Sequence, residues 1–116
     1  EVIDIETADI GEMDSKLTIA DGVIVGSPTI NQNTLLPVYR LMAVVSPLRD
    51  RGKLAGSFGS FGWSGEAPQL IAEMLKNLKL KYFEEPAAFK FVPEDGKEKT
   101  LIEYGERFAK ALTTPV

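Results

Sequence analysis

Apolar residues occur along this chain in short patches of two kinds that take turns. Val2, Ile3 and Ile5, and then Gly22-Val23-Ile24-Val25-Gly26, are compact runs rich in β-branched residues, the pattern of buried strands. Between them Ile10, Met13 and Leu17 recur at i, i+3 and i+7, which predicts a short amphipathic helix. Leu35, Val38, Leu41, Met42 and Val45 again keep helical spacing. Thr34 stands where an N-cap is expected, Pro37 falls in the first turn where amides lack partners, and Pro47 ends the helix. Residues 54–58 predict a further strand, weakened by a glycine and small side chains. Ala67, Leu70, Ile71, Met74, Leu75 and Leu78 mark the strongest helix, with Lys76 and Lys79 placed to suit its C-terminal dipole. Residues 80–83 and 89–92 read as two strand pieces split by Glu84-Glu85-Pro86, because proline cannot donate to a ladder. A last helix over residues 100–112 packs Leu101, Ile102, Phe108 and Leu112. The order βαβαβαβα with short connections predicts a parallel sheet with right-handed crossovers, an α/β three-layer sandwich with helices on both faces.

Two turns interrupt this pattern with an unusual density of polar and glycine residues: Gly26-Ser27-Pro28-Thr29-Ile30-Asn31 and Gly59-Ser60-Phe61-Gly62-Trp63-Ser64-Gly65. Each lies between a predicted strand and a predicted helix. In an open α/β sheet the carboxyl ends of the strands share one rim, so the two turns would face each other across a crevice. The first offers hydroxyls, an amide and helix N-terminal NH groups to the edge of a heterocycle. The second carries the chain's single Trp, with Gly62 and Gly65 allowing close backbone approach. Each turn alone is explained by capping and tight-turn chemistry; the pairing is what points to a ligand.

Composition narrows the alternatives. A length of 116 residues suits one small domain, and no internal repeat divides it. A chain that opens on a strand pattern without Met or signal peptide reads as a piece of a longer polypeptide. The chain has no His and no Cys, which removes triads, thiolate nucleophiles, disulfides and most metal sites from this segment. Absence of Cys is also compatible with a cytoplasmic location. A net charge of −4 argues against nucleic acid as a partner, and no apolar run reaches the length of about 18 that a membrane span needs. Neither turn has the Gly-x-Ser-x-Gly of a nucleophile elbow, the Gly-x-Gly-x-x-Gly of a dinucleotide fold or a Walker loop. Asp4, Asp9 and Asp21 could be imagined as a magnesium pocket of a phosphoryl-accepting receiver, but they read more simply as turn and terminus residues.

The segments Ala20-Asp21-Gly22-Val23-Ile24-Val25-Gly26-Ser27-Pro28-Thr29 and Gly59-Ser60-Phe61-Gly62-Trp63-Ser64-Gly65-Glu66-Ala67 resemble the flavodoxin-like domain of the A-type flavoproteins, also called flavodiiron proteins. The similarity covers essentially the whole chain. It implies a flavodoxin-like three-layer α/β/α sandwich in which FMN lies between the two turns. Ser27, Pro28, Thr29, Ile30 and Asn31 would line one side, and Ser60, Phe61, Gly62, Trp63, Ser64 and Gly65 the other. The family's flavin passes electrons to a diiron centre in a metallo-β-lactamase-like domain that reduces O2 or NO. No His here can serve that centre, so its ligands are expected outside this chain, residues 1–116 being a partial domain from the C-terminal part of the longer protein. An electron-donating reductase or rubredoxin-like partner and a homo-oligomer are further expectations of the resemblance. Two departures matter. Flavodoxin-like domains open on a strand and a hydroxyl-rich loop that holds the FMN phosphate, and neither has a counterpart here, so this segment is expected to bind FMN poorly and not to be catalytic alone. Phe61 stands where the family often has Tyr. The alternative is a cofactor-free interaction module that keeps the fold.

Overall fold

The computed structural model describes residues 1–28, 34–61, 66–83, 87–90 and 97–113. Four helices, α1 (Ile10–Ile19), α2 (Leu36–Val44), α3 (Glu66–Asn77) and α4 (Lys97–Thr113), enclose strands β1 (Gly22–Gly26), β2 (Leu54–Phe61), β3 (Lys81–Tyr82) and β4 (Ala87–Lys90). The long strand β2 is the spine. It pairs in parallel with β1 over Gly22–Gly26 on one side. On the other it pairs in parallel with β3 through Leu54 and Ala55 and with β4 through Phe58 to Phe61. Thus β3 and β4 occupy one lane of the sheet; Glu84-Glu85-Pro86, expected to break the ladder, lie outside the described residues.

Pleating assigns the two faces. Val23 and Val25 pair with Ala55 and Ser57 and look toward α1, α2 and α3, whose Met13, Leu17, Val38, Leu41, Ile71 and Leu75 form the main core with Val25 and Ala55. Ile24 pairs with Gly56 on the opposite face, which α4 covers. There a Cβ on Gly56 would meet the Tyr104 hydroxyl and, at 3.5 Å, Phe108, so the bare glycine lets α4 lie close to the sheet. Phe83 fastens this helix edge-on, its ring centroid 5.8 Å from Tyr104 and 5.4 Å from Phe108. The result is the expected three-layer sandwich.

Several details differ from the sequence pattern. The expected first strand does not form: residues 1–4 carry no regular structure and a turn follows at residues 5–7. Among the described residues no neighbouring strand offers residues 1–5 a ladder, and an unpaired strand gains no hydrogen bonds. Ile3 and Ile5 still pack on the core. In α1, Asp9 is the N-cap and accepts from the Glu12 amide at 2.7 Å, while Ile10 at the helix start is exposed. The N-cap of α2 is Leu35 rather than Thr34 and makes no side-chain cap bond. In α4 the buried stripe is Tyr104 and Phe108, and Ile102, expected inside, is 61% exposed. Residues 91 and 92, the end of the expected last strand, lie outside the described residues.

Lys79 is not part of the α3 helix end but its left-handed cap, with φ 71°. Its NH donates to the Lys76 carbonyl at 3.0 Å and the Leu80 NH to the Leu75 carbonyl at 3.2 Å, the paired bonds of a Schellman motif. A lysine there carries a left-handed penalty of about 1–2 kcal/mol, against about 0.5–1 for glycine's extra unfolded freedom. Lys79→Gly is therefore expected to stabilise the chain by roughly 0.5–1 kcal/mol, read as a higher urea midpoint at unchanged slope.

Candidate functional site

The rim at the carboxyl ends of β1 and β2 is built by close backbone contact. The Ser27 NH donates to the Phe58 carbonyl at 3.2 Å, extending the β1–β2 ladder one step beyond Gly26. The next residue of β2 is Gly59, where a Cβ would fall on the Ser27 carbonyl and lie 3.1 Å from Pro68 Cγ. No side chain fits between them. That contact brings the segment leaving β1 against β2 just before it enters its own turn, so the two polar turns start side by side from one rim.

Both turns have their ends fixed. Ser27 is buried, and its hydroxyl donates to the Pro28 carbonyl at 2.9 Å while accepting from the Leu35 NH, the N-cap residue of α2, at 3.1 Å. One hydroxyl thereby closes the turn between β1 and α2. Below the second turn, fully buried Ser57 donates to the Pro68 carbonyl in the first turn of α3 at 2.8 Å and shares a hydrogen bond with the Tyr82 hydroxyl. This ties the start of α3 to the sheet next to the place where β2 ends. Such pinning holds the ends of both turns on rigid elements, as a ligand site requires.

Of the residues expected to contact a cofactor, Ser27 and Pro28 stand on this rim, Ser27 with its hydroxyl engaged and Pro28 exposed. Ser60 and Phe61 belong to β2 rather than to the turn, paired with Phe89 and Lys90 of β4; the strand is longer than its weak residues suggested because β4 supplies a partner there. Thr29, Ile30, Asn31, Gly62, Trp63, Ser64 and Gly65 lie outside the described residues. Gly56 serves the packing of α4 and Gly59 the rim. Sequence reasoning missed Ser57 and Phe58. Phe58 is 39% exposed, and its ring lies so close over Gly26 that a Cβ there would overlap it, which places an aromatic edge on the same rim.

The groups whose titration shifts most clearly, Arg49 and Asp50, lie in the turn before β2, at the end of the sheet away from this rim. Among the described residues no cluster of acidic side chains could hold a metal, and Asp4 and Asp9 serve local turns and caps. The described part of the rim therefore offers closely apposed backbone and an aromatic edge rather than titratable side chains, which suits binding rather than acid–base chemistry. No described helix is long and apolar enough to cross a membrane.

No family model matches the chain. Individual proteins do. It is 38% identical over 112 residues to the flavo-diiron protein FprA2 of Clostridium acetobutylicum, covering 97% of this chain and 28% of that protein. The solved rubredoxin oxygen:oxidoreductase of Desulfovibrio gigas superposes with a TM-score of 0.88 at 32% identity, covering 97% of this chain and 28% of that one. A flavodoxin from the Archaea superposes at 0.81 with 28% identity, covering 98% of this chain and 78% of that one. The chain thus spans about a quarter of the length of the curated relatives it matches, and its fold is flavodoxin-like.

Proposed function

We propose that this chain, a flavodoxin-like homologue of the flavodiiron proteins, is the FMN-holding electron-transfer part of such a protein. The observation that supports this reading is the Gly59–Ser27 contact, which holds the ends of β1 and β2 together on one rim, where residues 27–31 and 60–65 begin. A glycine cradle and pinned turn ends fit a flat heterocycle. Residues 27–31 would take one side of the ring system and residues 60–65 the other, with Trp63 against its face and Gly62 and Gly65 admitting the approach. FMN, when bound, accepts and releases one or two electrons. The protein's own share is to orient the ring, exclude water from it and present amide donors to its edge. A diiron centre in a separate metallo-β-lactamase-like domain would take those electrons to O2 or NO, with a reductase or rubredoxin-like donor supplying them, in a cytoplasmic homo-oligomer.

Titration with FMN, followed by quenching of flavin fluorescence, tests this reading. The longer natural polypeptide is expected to purify yellow at near-stoichiometric flavin, and these 116 residues alone to bind it weakly. In the longer polypeptide Trp63→Ala should weaken affinity by roughly 0.5–1.5 kcal/mol, the scale of an aromatic pair. A colourless longer polypeptide that FMN does not titrate would overturn the assignment in favour of a cofactor-free interaction module.

A further inference from the structure

Ser57 is a polar residue in an apolar place. It sits within β2 on the face covered by α1, α2 and α3, beside a core in which Ile71 and Leu75 are fully buried, and it is itself fully buried. A hydroxyl in such a place costs free energy unless it is bonded. Both of its bonds are made. The Ser57 hydroxyl donates to the Pro68 carbonyl at 2.8 Å, which uses its one proton, so in the hydrogen bond it shares with the Tyr82 hydroxyl the tyrosine is the donor. The chain of bonds therefore has a fixed order, from Tyr82 to Ser57 Oγ and from Ser57 to the first turn of α3.

Tyr82 meets α3 twice. It pairs with Ala55, two residues before Ser57, so it stands on the same face of the sheet and its side chain leans toward the rim to reach the serine. The Lys76 ammonium lies over its ring, 5.1 Å from the centroid. Pro68 belongs to the first turn of α3 and Lys76 to the last, about 12 Å apart along the helix axis. One side chain from β3 thus engages the start of α3 through Ser57 and its end through Lys76. The buried stripe of α3, Ile71, Ala72 and Leu75, holds the helix down by apolar contact, which is non-directional and leaves position along the sheet weakly set. Hydrogen bonds to fixed strand residues set it, because their geometry tolerates little displacement.

We propose that Tyr82 and Ser57 are positioning residues for the flavin site: their hydroxyl pair sets where α3 begins, and with it the far end of the connection that carries Trp63. That connection leaves β2 at Phe61 and enters α3 at Glu66. Its first end is fixed by the pairing of Ser60 and Phe61 with β4. Its second end is fixed by the bond from Ser57 to Pro68. A binding constellation must be held to within about 0.5 Å, which requires both ends to be anchored. Neither Tyr82 nor Ser57 belongs to the segments 27–31 and 60–65, so the two act on a ligand only through the elements they join. The inference rests on the flavin reading and deepens it, assigning the geometry of the Trp63 turn to two residues outside that turn.

The test uses the longer natural polypeptide, stripped of flavin and titrated with FMN, with the visible circular dichroism and midpoint potential of the bound flavin as further readouts. Tyr82→Phe keeps the ring and removes one hydrogen bond, and Ser57→Ala removes both. The Kd for FMN is expected to rise about fivefold in the first and about 25-fold in the second, one and two neutral hydrogen bonds' worth. Each should also change the flavin dichroism and shift its potential. Asp50→Asn is the control for stability, since it loosens the fold at the other end of the sheet, and it should keep the parental Kd, dichroism and potential. Parental values in both Tyr82→Phe and Ser57→Ala would overturn the proposal and leave the flavin reading standing. Equal weakening by Asp50→Asn would also overturn it, because affinity would then follow stability alone. A parent that FMN does not titrate overturns the flavin reading itself, and this inference with it.

Discussion

Gly59→Ala is expected to cost roughly 3 kcal/mol, at the upper end of what overpacking a dense site costs. The added methyl would fall on the Ser27 carbonyl with Pro68 Cγ 3.1 Å away. Both obstacles are held in place: Ser27 lies in the β1–β2 ladder, and the Pro68 carbonyl is bonded to Ser57. Neither is the free end of a flexible side chain, so the strands must separate or the rim must shift. Strand propensity argues the other way, because alanine in a strand costs less chain entropy than glycine by about 0.5–1 kcal/mol. The steric term is several times larger and decides the sign. For a domain of this size the loss corresponds to a melting temperature lower by about 10–20 °C. Gly105→Ala is the control: it lies within α4 with nothing within 4 Å of its added Cβ, so it should gain about 0.5–1 kcal/mol. Matched urea melts of the two variants check both signs. A Gly59→Ala chain as stable as the parent would mean that the two turns do not leave the rim in contact.

Gly59 also marks how far the sequence could be read. Apolar periodicity located α1, β1, α2 and α3 because each buries one stripe or a continuous run against the sheet, and that pattern is written locally. The doubled turns were visible for the same reason, since polar and glycine residues stand out between apolar runs. What each glycine does was not visible: Gly56 and Gly59 look alike in the sequence, yet one admits α4 and the other a carbonyl from a residue 32 positions earlier. The failed first strand has the same origin. Val2, Ile3 and Ile5 have strand propensity, but a strand exists only where a neighbour offers its edge, and among the described residues no strand pairs with them. Ile102 and Tyr104 were exchanged as core residues because a helix stripe drawn from aliphatic residues alone overlooks a tyrosine two positions on. Ser57 gave no signal, since a buried serine is recognised by the carbonyl it satisfies, here that of Pro68.

Asp50→Asn should destabilise the chain by about 3–5 kcal/mol at neutral pH, the scale of breaking a buried ion pair. Asp50 is fully buried in the turn before β2. Its carboxylate accepts from Arg49 Nε at 2.9 Å and Nη2 at 2.8 Å, from Lys53 Nζ at 2.9 Å and from the Ser46 NH at 2.9 Å. Those partners reach outward, Arg49 Nη1 to Asp14 at 2.6 Å and Lys53 Nζ to the Leu17 carbonyl at 2.5 Å, so one carboxylate joins α1 to the entrance of β2. Asparagine keeps the shape but presents an amide to two cations, leaving Lys53 without its carboxylate and Arg49 with Asp14 alone. Hydrogen bonds from Arg49 above all, then from Lys53 and the Ser46 NH, hold the Asp50 carboxyl well below the ordinary carboxylate range, against the opposing effect of burial. A carboxyl depressed in the folded state contributes stability that is complete above its unfolded value of about 3.9 and fades as pH falls below it. The gap in unfolding free energy between parent and Asp50→Asn should therefore be constant from pH 7 to about 5 and shrink from about pH 4 downward. Because the cluster sits at the opposite end of the sheet from the Ser27–Gly59 rim, flavin affinity of the folded longer polypeptide should not change. A gap independent of pH down to about 3 would show that the carboxylate's charge is not what holds this end of the fold.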